Sequence, residues 1–191
     1  MVFLLALASP EIELLGVSTV AGNKTCDKTY SNALRTLTLL GRKDVPVTKG
    51  EKRPLLRELT IAPTIHSVSG LDGADLPEPG FEGDSRHAVD FIIETIMGPR
   101  EPVTLVPTGP LTNVALALLK EPGLARVVSR IVLMGGAVHN SNINPAAESN
   151  IFVDPKATKI VFGRRADCHN GSGCHRQGAA LSFVDIDEME S

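Results

Sequence analysis

Hydrophobic and polar positions follow two kinds of pattern along the first 160 residues of the chain. Short runs of consecutive apolar residues predict strands buried on both faces, and apolar stripes at helical spacing predict amphipathic helices. The first pattern predicts strands at residues 12–20, 45–47, 103–107 and 131–134, and the second predicts helices at residues 2–8, 25–40, 85–97, 111–120 and 154–162. This alternation predicts an α/β fold with an open, mostly parallel, Rossmann-like sheet flanked by helices.

Residues with known capping preferences stand at the ends of the predicted helices. Thr25 or Asp27 is placed to cap the second helix and Gly41 to end it. Side-chain oxygens satisfy amide groups at a helix start, and glycine adopts the left-handed conformation after a helix end. Ser85 is expected to begin the third helix, and Asp154, which precedes a proline, is expected to begin the last one.

Two segments depart from the alternating pattern. Residues 50–84 hold clusters of Gly and Pro, which indicates a long irregular connection of functional importance or high mobility. Residues 164–191 begin with a polar stretch and show no period that predicts an element. We therefore predict one α/β domain over residues 1–163 and an irregular tail over residues 164–191.

Composition and charge exclude several classes of protein. Of the 191 residues, 42% are hydrophobic and 21% are charged, which is typical of a globular domain rather than a disordered chain. The net charge of −3 comes without a cluster of basic residues, so no nucleic-acid partner is expected. The apolar start lacks a basic segment and is too short to cross a bilayer, so neither a signal peptide nor a membrane anchor is expected. Three cysteines suit a reducing compartment, and we expect a cytoplasmic protein.

Several polar residues follow the predicted strands. Asn23 follows the first strand, Thr108 the third, and Asn142, Glu148 and Asn150 the fourth. Because ligands of open α/β sheets bind at the carboxyl ends of the strands, these residues are candidates for a ligand site. Amides with one carboxylate suit a neutral, hydroxyl-rich ligand such as a sugar, and neither a glycine-rich lysine loop nor an arginine clamp for a phosphate is present. The same residue types are common in turns, so a purely structural role stays open.

Four motifs occur in order at these strand ends. They are V-S-T-V-A-G-N at residues 17–23, V-P-T-G-P-L-T-N at 106–113, V-L-M-G-G at 132–136 and A-E-S-N-I-F-V-D-P at 147–155. In this combination the chain resembles the inosine-uridine preferring nucleoside hydrolase family, from about residue 4 to residue 162. The resemblance implies an open α/β sheet, a nucleoside or ribose as the small-molecule partner, and hydrolysis of the N-glycosidic bond of a ribonucleoside to ribose and free base. It also implies a Ca²⁺ ion that holds the attacking water and the ribose hydroxyls.

The resemblance carries individual roles over to this chain. Thr108 matches a position that gives its backbone carbonyl to calcium, and His66 matches a histidine near the base. Met134 matches an apolar contact beside the sugar, although a methionine at a strand end is more often a plain core residue. The other matched residues line the pocket or contact the ribose: Asn23, Asn142, Glu148 and Asn150.

The sequence also departs from the family. The family's aspartate cluster, Asp-x-Asp-x-Gly-x-Asp-Asp, supplies calcium ligands and the general base, and it does not occur here; the family's later aspartate and histidine do not occur either. Ser67 stands where the family usually has Gly, and Ser149 where it usually has Phe. We therefore expect a chain truncated at its N-terminus, an incomplete sheet, no retained catalytic residue, weak retention of Ca²⁺ and little or no hydrolase activity. An exposed sheet edge would favour marginal stability or association between copies.

Three other interpretations stay open. A non-catalytic ribose-binding, nucleoside-binding or interaction protein would keep part of the pocket without turnover. A different ribosyl-processing enzyme would take its carboxylates from Glu148, Asp72 or Asp75. The Cys-His pairs at residues 168–169 and 174–175 offer four soft ligands, but adjacent pairs suit tetrahedral zinc poorly.

Overall fold

The computed structural model describes residues 2–59, 71, 75–99, 101–136, 148–164, 171–174 and 180–184, and side chains only from residue 4 to residue 164 of these. Within these ranges the helices are α1 (Val2–Ala8), α2 (Cys26–Leu39), α3 (Ala88–Met97), α4 (Thr112–Lys120), α5 (Leu124–Val127), α6 (Ser149–Val153) and α7 (Pro155–Arg164). The strands are β1 (Val17–Thr19), β2 (Val47–Lys49), β3 (Asp84–His87), β4 (Thr104–Leu105), β5 (Arg130–Met134), β6 (Gly171–Cys174) and β7 (Ala180–Val184). The order confirms the predicted α/β fold.

The strands form two sheets. In the first, β1, β2 and β3 lie side by side and parallel, with Val17 opposite Val47 and Thr19 opposite Lys49. In the second, β4 and β5 are parallel, and β7 and β6 extend the sheet in antiparallel orientation. The described ladders among β1 to β5 are therefore all parallel, as predicted. The outer described strands are β1 and β3 in the first sheet and β4 and β6 in the second.

The described parts of the tail correct one expectation. An irregular segment is predicted over residues 164–191, yet β6 and β7 add two strands to the edge of β5, with Ile131 opposite Val184 and Met134 opposite Leu181. Strands of four or five residues give too short a pattern for a period of two to be recognised in a mixed sequence.

Capping residues confirm most of the predicted helix ends. Asp154 caps α7, because its Oδ1 accepts a hydrogen bond from Ala157 N at 3.0 Å. Gly41 follows α2 with a φ of +67°, a conformation that glycine adopts without a steric cost. Thr25 precedes α2, but its side chain makes no capping hydrogen bond. Local signals therefore locate these helices correctly.

β3 is a strand that the apolar pattern misses. Its four residues are polar and mostly exposed, and their pairing with β2 is irregular. Ser85, the predicted start of α3, lies within this strand, and His87 caps the helix instead, with Nδ1 accepting from Val89 N at 3.4 Å. The side chains of this strand are polar, so no alternation of apolar residues marks it.

Two other predicted strands are shorter in the structure. β1 covers only the end of the predicted segment 12–20, and Ile12 at its start is 50% exposed. β4 is two residues long, and Val106, within the predicted strand 103–107, is also 50% exposed. Both predicted strands were therefore too long, because apolar residues also occur in the exposed segments next to β1 and β4.

The core has two parts, one against each sheet. The larger part surrounds α4, in which Ala115 and Leu118 are fully buried, with contributions from α3, α5, β5 and α7. The smaller part packs α2 on β1 and β2, with Leu37 and Val47 fully buried. Ala33, Leu34 and Leu37 form the apolar stripe of α2 and are buried, whereas Leu40, the next apolar residue at this spacing, is half-buried just after the helix ends. None of the helices described here is long and apolar enough to cross a membrane.

Candidate functional site

The segments that follow β1, β4 and β5 meet at one edge of the fold. Gly22 approaches the loop after β4 so closely that a Cβ atom on it would lie 2.8 Å from Pro110 Cδ. At the end of β5, Met134 N donates a hydrogen bond to Pro107 O at 2.9 Å. The carboxyl ends of these three strands therefore converge, which is where α/β sheets bind ligands.

Asn150 connects two of these strand ends. Its side chain lies in α6 and the residue is 6% exposed. Nδ2 donates to Met134 O at 3.0 Å and to Thr108 O at 3.4 Å, and it contacts Met134 Sδ at 3.0 Å. Oδ1 makes no hydrogen bond to any residue in the described ranges. Three residues predicted from separate motifs, Thr108, Met134 and Asn150, are thus brought together.

Glu148 has a local role that the sequence did not predict. The residue is 3% exposed, and its Oε2 caps α6 by accepting hydrogen bonds from Asn150 N at 2.8 Å and Ile151 N at 3.3 Å. A carboxylate at a helix N-terminus is also favoured by the helix dipole. Within the described part of the chain, Oε1 makes no hydrogen bond. Among the described residues, this buried carboxylate therefore uses one oxygen to cap α6 and leaves the other without a hydrogen bond.

Asn23 joins the same edge from the first loop. The hydroxyl of Ser149, the first residue of α6, donates a hydrogen bond to Asn23 Oδ1 at 3.3 Å. Asn23 is half-buried, and the following residue, Lys24, is 6% exposed. The first loop and α6, which are 126 residues apart in the chain, are therefore in direct contact.

The first turn of α4 is connected to the elements around this edge through the buried carboxylate of Asp154. Thr112 Oγ1 donates to Asp154 Oδ2 at 2.8 Å, and Leu55 N donates to the same oxygen at 2.9 Å. Asp154 is 1% exposed, and its other oxygen caps α7. One carboxylate thereby ties α4, α7 and the segment 51–59 together.

The next residue of α4 makes a second buried junction. Asn113 Nδ2 donates to Thr19 O at 2.9 Å, and Asn113 Oδ1 accepts from Glu51 N at 3.0 Å. Gly50 lies against this junction, and a Cβ atom on it would collide with Thr19 O and with the Asn113 side chain. The amide of Asn113 therefore fixes the end of β1 relative to α4.

Sequence reasoning found these supporting residues only in part. Thr112 and Asn113 stand inside a recognised motif, but no role follows from the motif alone, and Asp154 is predicted only as a helix cap. Their partners lie far away in the chain: Asn113 bonds Thr19 across 94 positions and Asp154 bonds Leu55 across 99. Such pairs leave no local signal in a single sequence.

The predicted site residues fall into two groups. Asn23, Thr108, Met134, Glu148 and Asn150 lie at the shared edge. His66 and Asn142 lie outside the described residues, as does Asp72 of the alternative carboxylate set, while Asp75 is exposed.

The described part of the site does not fit Ca²⁺ by itself. Ca²⁺ takes 6–8 oxygen ligands, usually with several carboxylates. Thr108 offers a single backbone carbonyl, and no group of three or more His, Cys, Asp or Glu residues within the described ranges is placed to hold a metal ion. The side chains of the two Cys-His pairs considered for zinc lie outside these ranges.

Charged residues next to the site pair with one another. Lys49 Nζ lies 2.6 Å from Asp27 Oδ1 and 5.0 Å from the centre of the Tyr30 ring. The hydrogen bond from Lys49 lowers the pKa of Asp27, and the same bond raises the pKa of Lys49. Both groups stay ionised near neutral pH and compensate each other.

Comparison with known proteins finds similar sequences and similar structures. The sequence pattern of the inosine-uridine preferring nucleoside hydrolase family matches residues 1–179. Pyrimidine-specific ribonucleoside hydrolases RihA from Citrobacter koseri and Photobacterium profundum are both 54% identical to the chain, over 158 and 159 residues respectively, which is 83% of this chain and 51% of each relative.

Among solved structures, a purine-preferring ribonucleoside hydrolase from Gardnerella vaginalis is 36% identical with a TM-score of 0.79, over 83% of this chain and 52% of that one. The plant nucleoside hydrolase PpNRh1 is 35% identical with a TM-score of 0.78, over 85% of this chain and 52% of that one.

The chain thus spans about half the length of the relatives it matches. The family match covers far more than half of the chain, and the matched structures share its fold. The four motifs and their convergence at one sheet edge are explained by the same relationship. The chain belongs to the inosine-uridine preferring nucleoside hydrolase family.

Proposed function

We propose that this chain binds the ribose of a ribonucleoside at the edge formed by the ends of β1, β4 and β5. Residues from three separate strand ends and from α6 converge there, and they are amide, carboxylate and backbone carbonyl groups. These groups suit the hydroxyls of a sugar. The relatives with 54% identity are named pyrimidine-specific, so uridine and cytidine are the first nucleosides to test.

The proposed function rests mainly on the hydrogen bonds of the Asn150 side chain, which engage its NH₂ group but, among the described residues, not its Oδ1. Its NH₂ group is held by the carbonyls of Met134 and Thr108, while its Oδ1, in a residue only 6% exposed, has no partner in the described chain. A buried acceptor without a partner costs about 1–3 kcal/mol, so a ligand hydroxyl that donates to it gains affinity. Glu148 Oε1 offers a second acceptor of the same kind.

Hydrolysis demands more groups than the described site contains. In the family reaction, carboxylates stabilise the positive charge that develops on the sugar, and a general base activates water. Glu148 is the carboxylate that the described residues place at this edge, and one of its oxygens caps α6. We therefore infer that these 191 residues alone bind ribose without appreciable turnover and hold Ca²⁺ weakly. Residues supplying the aspartate cluster would be required for hydrolysis.

Calorimetry and a base-release assay on the same sample test both parts. The chain is titrated with D-ribose, uridine and inosine in the presence of a chelator, with 2′-deoxyuridine as a matched ligand that lacks one hydroxyl. We expect ribose and uridine to bind, deoxyuridine to bind more weakly, and no uracil or hypoxanthine to appear with or without added Ca²⁺. A folded sample that binds none of these ligands would contradict ribose binding, and chelator-sensitive release of a base would show that the chain is a hydrolase as it stands.

A further inference from the structure

The thioether of Met134 contacts the Asn150 amide on which the proposed ribose binding rests. Its Sδ lies 3.0 Å from Asn150 Nδ2, as close as the carbonyl oxygen of the same methionine. An NH₂ group has two hydrogens, and here it faces three acceptors, the third of which is Thr108 O at 3.4 Å. The sulfur of Met134 therefore competes with two carbonyls for the hydrogens of this amide.

Met134 differs from other residues of β5 in the face of the strand on which it lies. Ile131 and Leu133 are each 2% exposed and belong to the larger part of the core. Successive residues of a strand point to opposite faces, so Met134 lies on the other face from Leu133, and it is half-buried. Part of this residue is therefore open to solvent, unlike the core residues beside it.

A methionine thioether that is open to solvent reacts with peroxides. In that step a lone pair of the sulfur attacks one oxygen of hydrogen peroxide, the O–O bond breaks and an S–O bond forms. The proton of the transferred hydroxyl passes to the departing hydroxide, which leaves as water. The sulfur is oxidised to a sulfoxide, and the peroxide is reduced.

The contact with Asn150 limits where the oxygen atom is added. A thioether sulfur has two lone pairs, and addition to one or the other gives the two epimers of the sulfoxide. Asn150 Nδ2, which is 3.0 Å away, leaves no room for an oxygen atom on its side of the sulfur. Reaction in the folded chain is therefore expected on the other side, which yields one epimer in excess.

We propose that Met134 is a modification site of this edge, at which a peroxide adds one oxygen atom to the sulfur and thereby weakens ribose binding. The sulfur of a sulfoxide is positively polarised and a poor acceptor, so the Asn150 amide loses one of its three acceptors. A polar oxygen also replaces an apolar surface beside the proposed ligand. The effect on affinity rests on the proposed ribose binding, whereas the oxidation and its stereochemistry are properties of the unliganded chain.

The test treats the folded chain with hydrogen peroxide and locates the added oxygen by mass spectrometry of its peptides. The chain has four methionines, Met1, Met97, Met134 and Met189. Two methionine sulfoxide reductases, each specific for one epimer, then report the stereochemistry at Met134. Calorimetry gives the dissociation constant for D-ribose before and after treatment.

Two variants separate Met134 from the other oxidisable groups. Met134→Leu removes the sulfur at nearly constant volume. Met97→Leu is the matched control, since Met97 is 43% exposed and lies at the end of α3, outside the proposed site. Both variants keep all three cysteines of the chain, so cysteine oxidation affects them as it affects wild type. Each protein is compared with its own untreated sample.

We expect an oxygen atom at Met134 with one epimer in excess in the folded chain, and nearly equal amounts of the two epimers in urea. Treatment should raise the dissociation constant for D-ribose about five-fold in wild type and M97L, the usual effect of one lost neutral hydrogen bond, and leave that of M134L unchanged. The reductase specific for the epimer formed should reverse the change.

Three results would overturn the proposal: a folded chain in which Met97 is oxidised and Met134 is not, equal amounts of the two epimers at Met134, or a Met134 sulfoxide with unchanged ribose affinity. An equal loss of affinity in M134L would also do so, because the effect would then come from another residue. Untreated wild type that binds no ribose, but forms one epimer at Met134, would instead contradict the proposed function while supporting the modification site.

Discussion

The first turn of α4 and the first turn of α6 each carry a deeply buried asparagine, and the two differ in how they are satisfied. Asn113 in α4 is 5% exposed and uses both ends of its amide, one toward Thr19 O and the other toward Glu51 N. Asn150 in α6 is 6% exposed and uses only its NH₂ end among the described residues. Since buried polar groups are normally paired, the full pairing of Asn113 is typical of a residue that holds the fold, and the half pairing of Asn150 is the feature on which the proposed ribose binding rests.

The buried carboxylates of the two turns repeat this difference. Asp154, which bonds the first turn of α4, uses both of its oxygens within the protein. Glu148, which caps α6, uses only Oε2 among the described residues. Burial alone therefore does not distinguish these two carboxylates, whereas the pairing of each oxygen atom does.

The largest effect is expected for Asp154→Ala. This change removes the acceptor for Leu55 N, Thr112 Oγ1 and Ala157 N at once, so the free energy of unfolding should fall by about 3 kcal/mol. Urea denaturation followed by circular dichroism measures it. Asp154→Asn keeps the shape and part of the acceptor capacity, so it should fall between wild type and the alanine variant. A fall in the free energy of unfolding of less than about 1 kcal/mol for Asp154→Ala would contradict the conclusion that this residue holds the fold.

Asn113→Ala is the second-largest expected change. It leaves Thr19 O and Glu51 N without their partner and should lower the free energy of unfolding by about 2 kcal/mol. Gly50→Ala tests the same junction independently, because its Cβ atom would collide with the Asn113 side chain. Both variants should destabilise in urea titrations; if only one of them does, Asn113 does not hold β1 in the way the hydrogen bonds indicate.

Asn150→Ala should act mainly on binding. The loss of Oδ1 at the site should weaken ribose affinity about ten-fold, while the free energy of unfolding should fall by about 1 kcal/mol, less than for Asn113→Ala. Calorimetry and urea denaturation on the same preparation give both quantities. An Asn150→Ala chain that binds ribose as wild type does, but unfolds as easily as Asn113→Ala, would place Asn150 with the structural residues.

The smallest effect is expected for an ion pair outside both turns. Hydrogen bonds from Arg86 lower the pKa of Asp84 to about 2. Because the folded pKa lies below the unfolded value near 4, this pair stabilises the chain above about pH 4 and the stabilisation is lost as the pH falls toward 2. Wild type should therefore lose slightly more stability than Asp84→Asn between pH 5 and pH 2, and the difference should shrink in high salt because Arg86 is 41% exposed. Parallel acid profiles for the two proteins would contradict this.

Local signals explain which parts of the fold were predictable. Asp154 before a proline and Gly41 after an apolar stripe located helix ends correctly, because capping depends on residues within one turn. β3 was missed and Ser85 misplaced, because a polar strand at the edge of the described sheet shows no alternation of apolar residues. Sequence reasoning therefore succeeded where the deciding contact is a few residues away.

The location of the candidate site could be predicted from the sequence, but the contacts between its atoms could not. The order of the predicted strands, with the rule that ligands bind at strand ends, was enough to place Asn23, Thr108 and Asn150 at one edge. The bond between Ser149 and Asn23 depends on side-chain directions across 126 positions of the chain. No periodicity or spacing encodes such directions.

The bond between Leu55 N and Asp154 also has a consequence for biosynthesis. Its two partners are 99 positions apart. At a synthesis rate of roughly 5–20 residues per second, Asp154 is therefore added about 5–20 seconds after Leu55. During that interval the segment 51–59 lacks its attachment to α7. α4 also emerges before α7, which later packs against it. The edge formed by the ends of β1, β4 and β5 is therefore among the last features to be completed on the nascent chain.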